Sequence, residues 1–118
     1  SAWLPFVGSG PPTRREHRTV VLPDYQGVGI GHALSSFCAS LWNALGFRAL
    51  STTAHPAFVA ARRRSKDWHS TRKASFAHGG LQRLKHATTR LTASFEYVGP
   101  ALDFATAARL MAERNRFD

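Results

Sequence analysis

The chain has 118 residues, of which 43% are hydrophobic and 19% charged. This composition is typical of one globular domain, residues 1–118, rather than of a disordered tail. There is no apolar run of the roughly 18 residues that a membrane helix needs. The one cysteine, Cys38, excludes an internal disulfide and a multi-cysteine metal site. The first residues lack the basic start and the cleavage site of a signal peptide. The sequence therefore predicts a cytoplasmic protein without membrane contact.

The formal net charge is +9, and almost all of it lies in one segment. Residues 62–90 contain nine Lys and Arg side chains and one acid, Asp67, which gives this segment a net charge of +8. Such a basic segment is typical of a surface that contacts phosphates, an acidic protein or nucleic acid, and equally of a solvated face with no partner. Its only aromatic residues are Trp68 and Phe76, which disfavours recognition of single strands by base stacking.

Four segments have the composition of β-strands. Residues 2–7 are apolar but interrupted by Pro5, which predicts an edge strand or an end piece. Residues 17–22 are rich in β-branched side chains and are followed by a proline. Residues 47–53 and 91–98 complete the predicted set.

Three segments favour α-helices. The first begins near residue 30, has apolar side chains at three- and four-residue steps, and is followed by Gly46 where a left-handed cap would fall. Its predicted apolar face comprises Ile30, Leu34, Phe37, Cys38, Leu41 and Leu45. Residues 56–66, which open with Pro56, and residues 103–114 predict two more helices.

The order of these elements predicts the fold class. A strand, a glycine-rich turn, a helix, a strand and a helix follow one another, which indicates an α/β layer architecture. Because a helix joins residues 17–22 to residues 47–53, these two strands should be parallel. Between about residues 68 and 90 no firm period is visible, and Gly79 and Gly80 indicate a turn.

The glycine-rich turn, residues 26–31, is the segment that points to a ligand. Glycines let the backbone approach a ligand closely, and the N-terminus of the following helix favours an anion such as a pyrophosphate. A Walker loop is excluded because no Gly-Lys-Ser/Thr follows. A dinucleotide-binding fold is disfavoured, because the glycine spacing differs and residues 50–55 contain no acid.

Residues 20–31, Val-Val-Leu-Pro-Asp-Tyr-Gln-Gly-Val-Gly-Ile-Gly, resemble the acetyl-CoA signature of the GNAT superfamily of N-acetyltransferases. That signature is Gln/Arg-x-x-Gly-x-Gly/Ala after an apolar strand, and Gln26, Gly29 and Gly31 fill its fixed positions. The resemblance covers roughly residues 17–68. It implies a GNAT-like α/β fold, with a mixed central sheet flanked by helices. The first strands and helices of the family have no counterpart in this sequence.

The resemblance also implies a reaction and a set of cofactor contacts. The reaction would be direct attack of an amine on acetyl-CoA in a ternary complex, with no acyl-enzyme and no metal. The pyrophosphate would be held by the amides of Val28, Gly29, Ile30, Gly31 and His32, in a loop shaped by Gln26 and Gly27. The pantetheine arm would pair with the backbone around Val20, Val21 and Leu22, on a strand that splays from the next one. An N–H near Leu22 would polarise the thioester carbonyl.

The catalytic groups are less well defined by the sequence. Many relatives use a Tyr as the acid that protonates the leaving thiolate, but residues 60–68 contain no Tyr, and an Arg occupies the corresponding place. Ser65 is a candidate for proton donation or for holding a water, and otherwise a helix-end serine. His55 is a candidate base or cofactor contact, and otherwise an ordinary helix-start residue. The histidines have no metal-ligand spacing, so no metal site is expected.

Two other functions remain open at this point. The chain could be an acyl-CoA-binding regulatory or interaction domain without turnover, or a module that contacts nucleic acid through residues 62–90. Only about sixteen residues precede the matched strand. The chain would therefore be a short form, a fragment, or a protein that completes itself by pairing, which predicts a homo-oligomer.

Overall fold

The computed structural model describes residues 1–6, 8, 10–76 and 91–116. In these residues, one mixed sheet contains five strands in the order β1-β2-β3-β5-β4. The strands are β1 (Ala2–Pro5), β2 (Thr13–Arg18), β3 (Arg48–Thr53), β4 (Trp68–Phe76) and β5 (Leu91–Tyr97). The described helices are α1 (Ile30–Ala44), α2 (Pro56–Arg64) and α3 (Phe104–Arg116). The predicted α/β class is confirmed.

The strand pairing agrees with the predicted topology. β2 and β3 are parallel and are connected through α1, while the pairs β1–β2, β3–β5 and β4–β5 are antiparallel. β1 lies at an edge of the sheet, as Pro5 predicted. β4 forms the other edge of the described sheet and was not predicted, because its polar sequence lacks the apolar alternation that marks a strand. The predicted turn at Gly79 and Gly80 lies outside the described residues.

β2 begins and ends earlier than its composition suggests. It spans Thr13–Arg18 rather than residues 17–22, and residues 19–22 belong to no strand. The strand accommodates charged residues because these contact side chains from other elements. The Arg14 guanidinium, for example, lies 4.9 Å from the ring centroid of Trp42 and 4.4 Å from that of Phe47. Propensity alone cannot anticipate such partners.

The buried side of α1 differs from the predicted apolar face. The buried residues are small: Gly31, Ser35, Ala39 and Ser40. Ile30 and Phe37 are instead 42% and 46% exposed. Small side chains are needed on the buried side because α1 lies close to both the sheet and α2. The helix itself and its end at Gly46, which has a φ of 89°, are confirmed.

The core lies between the helices and one face of the sheet. Its buried residues are Ala39, Ala49, Trp68, Ala93, Phe95 and Tyr97. The alternate positions of β3 and β5 carry polar side chains that bind across the strands, such as Thr52 with Ser94 at 2.9 Å and Arg48 with Glu96 at 2.7 Å. The described sheet therefore has one face packed on helices and one polar face.

A buried ion pair joins β2, α1 and α2. Arg62 of α2 is 0% exposed, and its Nη2 donates to Glu16 Oε2 at 2.9 Å and to Ser35 Oγ at 2.6 Å. The guanidinium also lies against two aromatic rings, with centroid distances of 5.0 Å to Phe58 and 4.4 Å to Trp68. The Arg62 side chain thus fixes three elements at one point.

The Glu16 carboxylate is held in its charged form. Burial by itself raises the pKa of this carboxyl, but hydrogen bonds from Ser51 and Thr19 and the charge of Arg62 outweigh it, so the pKa of Glu16 lies below its usual value. Burial lowers the pKa of Arg62, and Glu16 opposes that shift. The Glu16 carboxyl is therefore ionised at neutral pH, and it faces the Arg62 guanidinium, a group that does not deprotonate in proteins.

We predict that Glu16→Gln destabilises the fold by about 3 kcal/mol or more, because it leaves the Arg62 charge buried without a counter-ion. The measurement is the free energy of unfolding in urea at pH 7. Glu96→Gln is the matched control: it breaks the pair with Arg48, whose side chain is 44% exposed, and should cost less than about 1 kcal/mol. Equal losses of unfolding free energy in the two variants would show that the buried pair matters no more for stability than the exposed pair.

The ion pair between Glu16 and Arg62 also predicts that the folded protein loses stability at acidic pH. Because the folded-state pKa of Glu16 is lowered, its contribution to stability is complete above the unfolded-state pKa and is lost as the pH falls through the folded-state pKa. The wild type should lose stability progressively below about pH 4.5, and Glu16→Gln should lose less over the same range. Unfolding measured from pH 7 down to pH 3 tests this, and parallel curves for the two proteins would contradict it.

Candidate functional site

The loop between β2 and α1 is shaped by a side chain and two glycines. A short 3₁₀ turn spans Pro23–Tyr25, and Gln26 Nε2 then donates to the carbonyl oxygen of Val21 at 2.8 Å. Gly27 and Gly29 have φ angles of 86° and 83°, which other residues adopt only with strain. The loop therefore turns back over residues 19–22 before α1 begins.

This conformation leaves a row of free backbone donors. In the described part of the chain, the N–H groups of residues 27–32 donate to no acceptor, and the first amide bonded in α1 is that of Ala33, to Gly29 O at 3.0 Å. The N-cap residue, Gly29, has no side chain that could cap the helix. Because the N-terminus of a helix carries a partial positive charge, these six amides form a site suited to an anion.

A second row of free donors lies beside the first. The N–H groups of Val20, Val21 and Leu22 also donate to no acceptor within the described residues. These residues belong to no strand, so their free N–H groups are available to an extended ligand with amide groups.

Both rows contribute residues to the lining of one groove of about 550 Å³. It is lined by Thr19, Val20, Val21, Tyr25, Gln26, Gly27, Gly29, Ile30, Gly31, His32, His55, Ala57, Phe58, Ala61 and Arg64. No Asp or Glu is among these residues, whereas Arg64 contributes a positive charge. Of the predicted cofactor-binding residues, Leu22 and Val28 do not line the groove, and these two residues are 66% and 72% exposed.

Gly31 is required for a reason different from that of the other two glycines. A Cβ atom at this position would lie 2.9 Å from Phe58 Cζ and 3.2 Å from Val21 Cγ2, so a side chain here would push both groove walls outward. At Gly27 and Gly29 an added Cβ would meet nothing within 4 Å. The first two glycines therefore allow the loop conformation, and the third allows the close approach of α1 to α2.

The side chain of His32 was not predicted to matter, only its amide. It lines the groove, and its Nδ1 atom is buried without a partner among the described residues. Burial, followed by the positive charge of Arg62, lowers the pKa of this imidazole, so it is neutral at neutral pH. The groove wall from α2 was also missed: Ala57, Ala61 and Arg64 recur at helical spacing, but only tertiary packing shows that this side faces the loop.

The parallel strands part next to this groove. The pairing of β2 with β3 ends at Glu16 and Ser51, after which β2 continues beside β1 and β3 beside β5. The resemblance implies such a splay. A second cavity of about 230 Å³ occupies the gap and shares Thr19, His55 and Phe58 with the groove.

The two candidate catalytic residues lie at opposite ends of α2. His55 is the N-cap residue, lies against Phe58 with ring centroids 5.7 Å apart, and lines both cavities. Ser65 is the C-cap residue; its Oγ accepts a hydrogen bond from the Asp67 amide at 3.2 Å, and it lines neither cavity. The structure therefore brings His55, and not Ser65, to the loop residues.

The basic segment, residues 62–90, is described only in part. Arg62 is buried in the ion pair and is not available to a partner, whereas Arg63, Arg64 and Lys66 are exposed. Residues 77–90 lie outside the described residues, so binding of nucleic acid or an acidic partner by this segment stays a prediction.

Comparison with protein-family models, with curated proteins and with solved structures finds no match to this chain. None of the described helices is long and apolar enough to cross a membrane.

Proposed function

We propose that this chain binds acetyl-CoA in the groove between the glycine-rich loop and α2 and transfers the acetyl group to an amine. The observation that carries the proposal is the row of six unbonded amides, residues 27–32, five of which belong to residues that line a groove with no Asp or Glu among its described lining residues. A pyrophosphate would accept hydrogen bonds from these amides and would be stabilised by the dipole of α1. The resemblance of residues 20–31 to the GNAT signature supports the same ligand.

Other parts of the groove fit the rest of the cofactor. The pantetheine arm contains two amide groups and is extended, so it would align with the free N–H groups of Val20, Val21 and Leu22. Arg64 adds a positive charge for a phosphate. The arm would then run from the loop toward Thr19 and His55, where the groove meets the second cavity.

The reaction proposed at this junction is a direct acyl transfer. The amine nitrogen attacks the thioester carbonyl carbon, a C–N bond forms, the C–S bond breaks, and CoA leaves as the thiolate. One proton passes overall from the amine to the sulfur. Because the nitrogen must lose a proton, a base near the junction is needed, and the imidazole of His55 is proposed to be that base.

The proposed cofactor site predicts the effect of a charge placed in the loop. Gly29→Glu should weaken CoA binding by about tenfold or more, because its carboxylate would lie beside the pyrophosphate. Gly46→Glu is the matched control: Gly46 also has a positive φ and an open surrounding, but it lies at the opposite end of α1. Both variants should lose about 1 kcal/mol of stability through backbone strain.

Isothermal titration calorimetry with CoA measures this difference on folded samples of all three proteins. Equal loss of affinity in the two variants would show that the loop does not hold the phosphates. Absence of CoA binding to the intact wild type would reject the proposed function.

The proposed base predicts a contrast between the two ends of α2. His55→Gln should lower kcat for thiol release from acetyl-CoA by about 10²-fold, while Ser65→Ala should stay within about twofold of the wild type. The assay follows free CoA thiol across a panel of amines, with CoA affinity measured in parallel. Similar activity in the His55 variant and the wild type would remove His55 from the mechanism.

A second candidate function is acyl-CoA binding without turnover. It is favoured by the state of Arg62, which occupies the stretch where related enzymes have a tyrosine and which is fully buried in an ion pair. CoA binding by the wild type without thiol release for any amine would support this regulatory role over the transferase.

Self-association also stays a proposal; β1 and β4 are the two edges of the described sheet that could pair with another copy.

A further inference from the structure

The second cavity, between the parted strands and the start of α2, has the size of a small-molecule site. Its volume is about 230 Å³, below the roughly 300–1,000 Å³ of pockets for drug-sized ligands. It is lined by Glu16, His17, Arg18, Thr19, Thr52, Thr53, His55, Phe58 and Arg62. Because three of these residues also line the groove, a molecule here would lie next to whatever occupies the groove.

The one carboxylate in this lining is already engaged within the chain, which makes it a poor partner for an ammonium ion. Glu16 Oε2 accepts bonds from Ser51 Oγ at 2.6 Å and from Arg62 Nη2 at 2.9 Å, and Oε1 accepts a short bond from Thr19. Its charge is therefore balanced by Arg62, and its oxygens are already bonded.

The charge that remains in the cavity lining is positive. Arg18 is exposed and forms no ion pair with any other described residue. Arg62 forms part of the wall, but it is fully buried and its charge is balanced by Glu16, so Arg18 carries the unbalanced charge of the described lining residues. A lining with this positive charge attracts an anionic ligand group and disfavours a cationic one.

We infer that this cavity binds the carboxylate of a small amine, with Arg18 as the direct contact. The inference rests on the proposed function and specifies its acceptor: an amine that carries a carboxylate, as an amino acid does. The same positive surroundings favour the neutral form of the amine, which is the form that attacks a thioester. The carboxylate would thus position the acceptor, and its negative charge would complement the positive charge of Arg18.

Four related probes separate the two groups of such an acceptor. L-alanine has both the amine and the carboxylate, propionate only the carboxylate, and L-alaninamide and ethylamine only the amine. Binding to the apo protein is measured by calorimetry at fixed ionic strength. L-alanine and propionate should bind about tenfold or more tightly than L-alaninamide and ethylamine, since a charge-assisted contact is lost in the last two.

Two arginines on β2 provide the matched variants. Arg18→Gln should weaken the binding of L-alanine and propionate by about tenfold. Arg15→Gln removes the same charge from an exposed residue of the same strand that does not line the cavity, and should leave binding unchanged. Circular dichroism confirms that both variants are folded.

The outcomes distinguish this inference from the proposed function. Equal binding of all four probes, no binding of any, or carboxylate binding that survives Arg18→Gln would overturn the inference, whatever CoA does. If CoA binds in the same samples, the proposed function is retained and only the inference about the acceptor fails. If propionate binds through Arg18 but CoA does not bind, the cavity is an anion site and the proposed function fails.

Discussion

The ion pair between Glu16 and Arg62 is the interaction on which the arrangement of the site depends. An isolated charge in the interior is too costly to persist, so β2, α1 and α2 must meet where Arg62 reaches both Glu16 and Ser35. This fixes α2 beneath the gap between β2 and β3 and places its first residues at the mouth of that gap. The wall shared by the groove and the second cavity follows from this contact, because Phe58 lies on the Arg62 guanidinium.

The chemistry of the groove comes from backbone rather than from side chains. Positive φ angles at Gly27 and Gly29 turn the loop so that consecutive amides remain unbonded, and Gly31 lets the helix approach Phe58 and Val21. The donors are therefore fixed before any ligand arrives, which reduces the entropy lost on binding. Because none of the described residues that line the groove is an Asp or Glu, no carboxylate of this lining opposes a polyphosphate.

The features that the sequence predicted are those set by local residues. The glycine-rich loop, the cap at Gly46 and the edge position of Pro5 depend on backbone preferences of single residues, and the helix after the loop depends on the spacing of its apolar side chains. The features that it missed depend on distant partners. Arg62 belongs to a run of three arginines that would normally be solvated, yet it is completely enclosed, because Glu16 and two aromatic rings come from other elements. The small buried face of α1 and the strand β4 were missed for the same reason.

The central claim is that the amides of residues 27–32 hold the phosphates of CoA. The most direct measurement is a ¹⁵N–¹H correlation spectrum of the protein titrated with CoA. We expect the largest saturable shifts at these six amides, smaller ones at Val20, Val21 and Leu22, and none at Gly46. Saturable binding that leaves the loop amides unshifted, or spectra that do not change at all, would contradict the claim.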